Sequence, residues 1–99
     1  MANKQETGYR EIICIYPRLK LWMWDNDWNA CRLAREAGVH ENTLYQNLMG
    51  NTDMKMCTIR RILDATGLTF EQAFGERISQ DEARKNAKEA RKNEWVQRY

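Results

Sequence analysis

Five neighbouring residues carry the hydrogen-bonding groups best suited to recognition chemistry in this 99-residue chain. Glu41, Asn42, Tyr45 and Gln46 recur at helical spacing, so they share the outer face of one helix, with Asn47 at its margin. Asn42 and Gln46 amides can bond adenine at two atoms, and a glutamate can accept a hydrogen bond from cytosine. A tyrosine can cover a thymine methyl group or bond a phosphate. The pattern therefore predicts a helix face that reads base edges.

Residues 33–48 must position this face. Leu33 to Ala37 has a helix-favouring composition, and Gly38 suits the left-handed geometry that commonly ends a helix. A second helix then begins almost at once, with Leu44 and Leu48 on one side. Two short helices joined by a glycine turn form a helix-turn-helix. We expect this unit to bury four apolar side chains: Ala34, Val39, Leu44 and Leu48.

A longer pattern of spaced residues carries a family resemblance. It reads Leu33-Ala34-x-x-Ala37-Gly38-Val39-x-x-x-Thr43-Leu44, followed by Gly50. This pattern resembles the phage-repressor/Cro-like helix-turn-helix family, the lambda-repressor-like DNA-binding domains. The flanks are similar to that family as well, over about residues 16–75: Tyr16-Pro17-x-Leu19, Leu48-Met49-Gly50-Asn51-Thr52-Asp53 and Ile59-x-x-Ile62-Leu63-x-x-x-Gly67-Leu68-Thr69-x-x-x-x-Phe74.

The resemblance implies an all-α fold, a compact lambda-repressor-like bundle of four to five helices that contains the helix-turn-helix. We divide the chain into an N-terminal extension (1–15), a helix-turn-helix DNA-binding domain (16–75) and a charged C-terminal arm (76–99). Local signals mark several helix ends: Pro17 at the start of helix one, Asn29 as the cap of helix two, and Thr69 with Gln72 as a capping box.

Residues 9–16 are β-prone and leave two alternatives open. They could form a short strand, which would need a partner strand, or a packed extension of helix one. We favour the helical extension because it requires no partner.

The recognition helix is expected to span about Glu41 to Met49. As the resemblance implies, Glu41, Asn42, Tyr45 and Gln46 face bases in the major groove. The helix and its flanks, residues 40–53, contain no lysine or arginine, so the commonest contact to guanine is missing there. We therefore expect contacts that favour A·T pairs.

A second group of side chains is expected at the DNA backbone. Ala30 and Asn51 stand where family members often carry a glutamine and a lysine that hold phosphates, although a helix N-terminus still offers N–H groups. His40, at the start of the recognition helix, is expected to cap it or to contact a phosphate, and Arg35 is a further candidate. The candidate backbone contacts are Asn29, Arg32, His40, Thr43, Asn51, Lys55, Arg60 and Arg61.

The net charge of +2 is unevenly distributed. Residues 17–75 carry seven positive and seven negative side chains, whereas residues 76–99 carry seven and five. Non-specific DNA affinity grows with the number of phosphates that a protein neutralises. The neutral core therefore predicts weak background binding to DNA, without excluding specific binding.

Other functional classes find little support in the composition. No apolar run approaches the roughly 20 residues of a membrane span, and residues 1–6 contain no signal-peptide core, so we expect a cytoplasmic protein. Cys14, Cys31 and Cys57 are isolated and expected to be reduced, and the single histidine lacks metal-binding partners. We expect no enzyme activity, metal, cofactor or small-molecule ligand.

The last segment predicts a helix over about residues 80–97. Ser79 to Glu82 reads as a capping box, and opposite charges recur four residues apart. Its apolar stripe is thin: Ala83, Ala87, Ala90, Trp95, Val96 and Tyr99. Such a stripe buries little area, so we expect a projecting or self-associating helix rather than one docked along its length or a basic arm on DNA.

Two functional hypotheses follow. The first is a sequence-specific DNA-binding transcriptional regulator of the prophage or mobile-element repressor type. As the resemblance implies, it would bind a pseudo-palindromic double-stranded operator as a homodimer, with half-sites about 34 Å apart. The second is a protein-interaction adaptor that keeps the helix-turn-helix fold but binds DNA weakly or not at all.

Overall fold

The computed structural model describes residues 13–97, with side chains to residue 89. The regular secondary structure of this part is all helical, with six helices and no strands, which confirms the predicted all-α class. None of the described helices is both long enough and apolar enough to cross a bilayer. The helices are α1 (Pro17–Asp25), α2 (Ala30–Ala37), α3 (Glu41–Leu48), α4 (Met56–Thr66), α5 (Phe70–Phe74) and α6 (Gln80–Gln97).

The predicted local signals mark the helix starts. Pro17 lies in the first turn of α1, where its missing N–H costs no intrahelical bond. The Asn29 side chain caps α2 by accepting a 2.8 Å hydrogen bond from the Arg32 amide. Thr69 and Gln72 form a complete capping box on α5. These helix starts therefore follow from nearby residues alone.

One buried core holds the first five helices together. α2 packs against both α3 and α4, and α1 packs against α5. The ring centroids of Trp22 and Trp28 lie 5.0 Å apart, edge to face, at the rim of this core. The largest fully buried side chains are Ile15, Leu19, Met23, Leu33, Leu44, Leu48 and Ile62.

The predicted helical extension before Pro17 is wrong for residues 13–16, which are not helical; residues 9–12 lie outside the described part. The Ile15 amide donates to the Leu48 carbonyl over 2.8 Å, and the Ile15 carbonyl accepts from the Ile78 amide over 2.8 Å. Both backbone groups are thus satisfied by separate segments, which neither a helix nor a paired strand would allow. The Ile15 side chain is buried at this position.

The first two turns of α6 are docked on the bundle. Ala83 and Ala87 are buried, although the alanine stripe was expected to bury little area. The Ser79 hydroxyl accepts from the Glu82 amide over 3.1 Å, as the predicted cap requires. The Gln80 side chain donates to the Met49 carbonyl over 2.9 Å. The start of α6 is therefore fixed to the end of α3.

The thiol of Cys14 should be protected from reaction by the fold. It is buried beside the Tyr16 carbonyl, 3.4 Å away, and burial raises its pKa to about 11. Cys31 and Cys57 are exposed. Because the thiolate is the reactive form, an aromatic disulfide reagent at about pH 8 should titrate the two exposed thiols quickly and Cys14 only after denaturation. Equal rates for all three thiols in the native protein would contradict this burial.

Candidate nucleic-acid interface

A left-handed glycine turn orients α3 on α2. Gly38 has φ 71°, the geometry predicted from the sequence, and a side chain there would strain the backbone. The Val39 amide donates to the Ala34 carbonyl over 2.9 Å and closes the turn. Val39 itself is only partly buried, less than predicted. The two helices and this turn form the predicted helix-turn-helix geometry.

A side chain from α4 braces the same turn. Arg61 donates through Nη1 to the Gly38 carbonyl over 2.9 Å. We predicted Arg61 as a DNA-backbone contact, and the structure directs one of its donors to the protein's own turn. A guanidinium carries five N–H groups, so one bond leaves others for a phosphate.

The four side chains predicted to read bases are accessible from one side of α3. Glu41 and Asn42 are exposed, and Tyr45 and Gln46 are partly exposed. The opposite side is buried through Leu44, Asn47 and Leu48. We define the open side, Glu41, Asn42, Tyr45 and Gln46, as the recognition face.

Asn47 does not belong to the recognition face, so its expected place at the margin of that face is wrong. Its side chain is buried, and Nδ2 donates to Thr52 Oγ1 over 2.8 Å. The same Nδ2 lies 3.4 Å from the Asp53 carbonyl. Asn47 therefore holds the loop after α3 in place, because its NH₂ group donates to a hydroxyl and a backbone carbonyl of that loop.

The recognition face is connected to α6 by a chain of carboxamides. Asn51 Nδ2 donates to Gln46 Oε1 over 2.8 Å, and Gln80 Nε2 donates to Asn51 Oδ1 over 2.7 Å. Asn51 was predicted to contact the DNA backbone, but its amide bonds two side chains of the protein. Sequence reasoning missed Gln80 altogether, because no local pattern relates it to a residue 29 positions earlier.

Tyr45 presents a hydroxyl that remains protonated at neutral pH. Burial raises the pKa of this phenol, and the nearby charges of Glu41 and Cys31 raise it further. A protonated phenol can donate to a phosphate oxygen or to an acceptor on a base edge.

Four of the predicted backbone contacts line a common groove beside the recognition face. His40, Thr43, Lys55 and Arg61 surround an open volume of about 500 Å³, between the glycine turn and the start of α4. His40 occupies the N-cap position of α3, but its side chain makes no capping hydrogen bond, so the capping interpretation is wrong. The groove therefore combines two cations, an imidazole, the Asp53 carboxylate and the hydroxyls of three threonines.

The remaining predicted backbone contacts lie elsewhere. The Arg32 guanidinium stacks over the Trp28 ring at 4.7 Å and approaches Glu36 to 3.9 Å. Asn29 uses its side chain to cap α2. Arg60 is exposed on α4 outside the groove. The structure thus gathers only part of the predicted set.

Across the described side chains, no group of three or more His, Cys, Asp or Glu residues could hold a metal ion. Comparison of the chain with models of known protein families, with curated proteins and with solved structures found no match in any of the three.

The two asparagines of α3 give a direct test of which side of the helix is committed to the fold. Asn47→Ala should lower the free energy of unfolding by about 1–3 kcal/mol, because it leaves loop groups without a partner. Asn42→Ala, at an exposed position, should change it by less than about 0.5 kcal/mol apart from helix propensity, which both variants share. Urea denaturation measures both values, and equal effects would contradict the assignment.

Proposed function

We propose that the protein is a sequence-specific DNA-binding transcriptional regulator of the phage-repressor/Cro-like type, with α3 in the major groove of operator half-sites. The observation that supports this most is the recognition face itself. Four hydrogen-bonding side chains lie open on a short helix whose other side is buried in the bundle. In a helix-turn-helix, the second helix enters the major groove and its first residues contact base edges.

The side chains of the recognition face can contact several bases, but they lack the commonest contact to guanine. Asn42 offers an exposed amide that can bond adenine at two atoms, and Glu41 can accept from the amino group of cytosine. Tyr45 contributes a protonated hydroxyl. Because residues 40–53 contain no lysine or arginine, the usual contact of these side chains to guanine has no source on this helix.

The groove beside α3 supplies a path for the DNA backbone. Lys55 and Arg61 bring two positive charges there against the single negative charge of Asp53, and Thr43 brings a hydroxyl, at the end of the helix that would face the phosphates. Arg32 is partly committed to Trp28 and Glu36. With so few cations available, we expect weak non-specific affinity and a shallow dependence of binding on salt.

We propose a homodimer on a pseudo-palindromic operator as the binding unit. Two-fold symmetry would place two copies of α3 in successive major grooves, about 34 Å apart on one face of the duplex. A dimer also doubles the small number of phosphate contacts that each subunit offers.

A protein-interaction adaptor is the second candidate, and exposed apolar side chains favour it. Leu21, Met56 and Phe70 are 59%, 63% and 52% exposed. Such side chains, together with a neutral bundle, are also consistent with a protein partner.

Selection from a randomised duplex pool at two salt concentrations tests the proposed function. The wild-type protein should enrich a motif with two-fold symmetry. The Asn42→Ala, Gln46→Ala double variant should lose discrimination at the corresponding positions, by about 1–3 kcal/mol per contact. Thermal stability should change little, since Asn42 is exposed and the Gln46 side chain loses only an exposed hydrogen bond with Asn51.

A matched control leaves α3 unchanged. The Leu21→Gln, Phe70→Gln double variant removes exposed apolar surface and should select the same motif as the wild type. Retention of no duplex by folded wild-type protein at micromolar concentration, at either salt, would reject the proposed function and favour the adaptor.

A further inference from the structure

The carboxamide chain between α6 and α3 has a fixed direction. Gln80 Nε2 lies 2.9 Å from the Met49 carbonyl oxygen, which can only accept a hydrogen bond. Gln80 must therefore place its NH₂ group on this side, and the second hydrogen of that group reaches Asn51 Oδ1 over 2.7 Å. The Met49 carbonyl thus determines the orientation of the Gln80 carboxamide, with its NH₂ group towards Met49 and Asn51.

The orientation of the Gln80 amide in turn sets the orientation of the Asn51 and Gln46 amides. With Oδ1 turned towards Gln80, Asn51 directs its NH₂ group to Gln46 Oε1, 2.8 Å away. Gln46 Oε1 therefore accepts an exposed hydrogen bond from Asn51, and the NH₂ group of Gln46 is the end that can reach a base. The backbone of the loop adds a parallel link, since the Asn51 amide donates to the Gln46 carbonyl over 2.9 Å.

Close packing holds the Gln80 stem in this position. A Cβ atom at Gly50 would lie 3.1 Å from Gln80 Cγ and 3.1 Å from Ile15 Cγ2. Ala83, one turn further along α6, is buried. The Gln80 stem therefore packs into the space that the missing Cβ of Gly50 leaves, and a larger residue at position 50 would displace it.

We propose that Gln80 is a positioning residue for base recognition, acting through Asn51 to hold the Gln46 carboxamide with its NH₂ group outward. This inference rests on the proposed DNA-binding function. Guanine, adenine and thymine each present an acceptor in the major groove, whereas cytosine presents only an amino donor. The operator position that faces Gln46 therefore excludes cytosine.

Hydrogen bonding of Gln46 to Asn51 also lowers the entropic cost of binding a base. A free glutamine loses much rotamer freedom when a ligand orders it. Gln46 loses less of this freedom on binding, because the chain from Gln80 orders its end in the unbound protein.

Nuclear magnetic resonance tests the positioning step without DNA. Gln80→Met keeps the length of the stem but deletes its donors, and the Gln46 side-chain amide signals are assigned by their loss in Gln46→Ala. In wild-type protein the ¹⁵N order parameter of this amide should approach about 0.85, and in Gln80→Met it should fall below about 0.6. Asn86→Ala, an exposed amide on the same helix, is the matched control and should change nothing. An unchanged order parameter in Gln80→Met would overturn the proposal.

Duplex selection tests the consequence for bases. Gln46→Glu retains an oxygen for Asn51 but turns an acceptor outward, so cytosine should become enriched at one position, which identifies the position that Gln46 faces. The wild type should deplete cytosine there by at least about fivefold, the lower range for one good contact. Gln80→Met should reduce this depletion to less than about twofold and preserve the preferences at other positions.

Two results would overturn the consequence for bases. Gln80→Met could select the same motif as the wild type, or it could weaken every position equally, as a purely structural role of α6 requires. If wild-type protein enriches no duplex, the proposed function fails together with the base preference, while the order parameter still decides the positioning of Gln46.

Discussion

The burial of one side of α3 is the constraint on which the rest of the structure depends. The helix has eight residues, and isolated helices shorter than about 12–15 residues are marginal in water. Leu44 and Leu48 are fully buried and must supply the stability that length does not. This burial commits one side of the helix and leaves Glu41, Asn42, Tyr45 and Gln46 open. The burial of Leu44 and Leu48 thus both stabilises α3 and leaves its other side exposed.

Polar contacts from separate segments fix the helix at both ends. Arg61 bonds the Gly38 carbonyl where the chain enters α3. The Ile15 amide bonds the Leu48 carbonyl at the last turn, and Gln80 bonds the Met49 carbonyl just beyond it. Carbonyl groups at a helix end have no intrahelical donors, so these contacts satisfy them while adding no bulk to the open side. The recognition face is therefore supported from behind, by α4, by residues 13–16 and by α6.

The sequence predicts most strongly what depends on near neighbours. The turn at Gly38, the Asn29 cap and the Thr69 capping box need only residues a few positions away, and all are confirmed. Asn47 lies at the boundary between the two sides of α3, so helical spacing alone could not predict whether it is exposed or buried. Its hydrogen bond to Thr52 holds it on the buried side. The carboxamide chain could not be predicted from the sequence, because Gln80 reaches Met49 and Asn51 only in the folded bundle.

Titration of ¹⁵N-labelled protein with an enriched duplex, followed by backbone amide shifts, tests most directly whether the open side of α3 is the binding surface. We expect the largest shift changes from Glu41 to Gln46, with smaller changes at Lys55 beside the groove. Changes concentrated at Leu21, Met56 and Phe70, with α3 unaffected, would contradict the assignment of the recognition face.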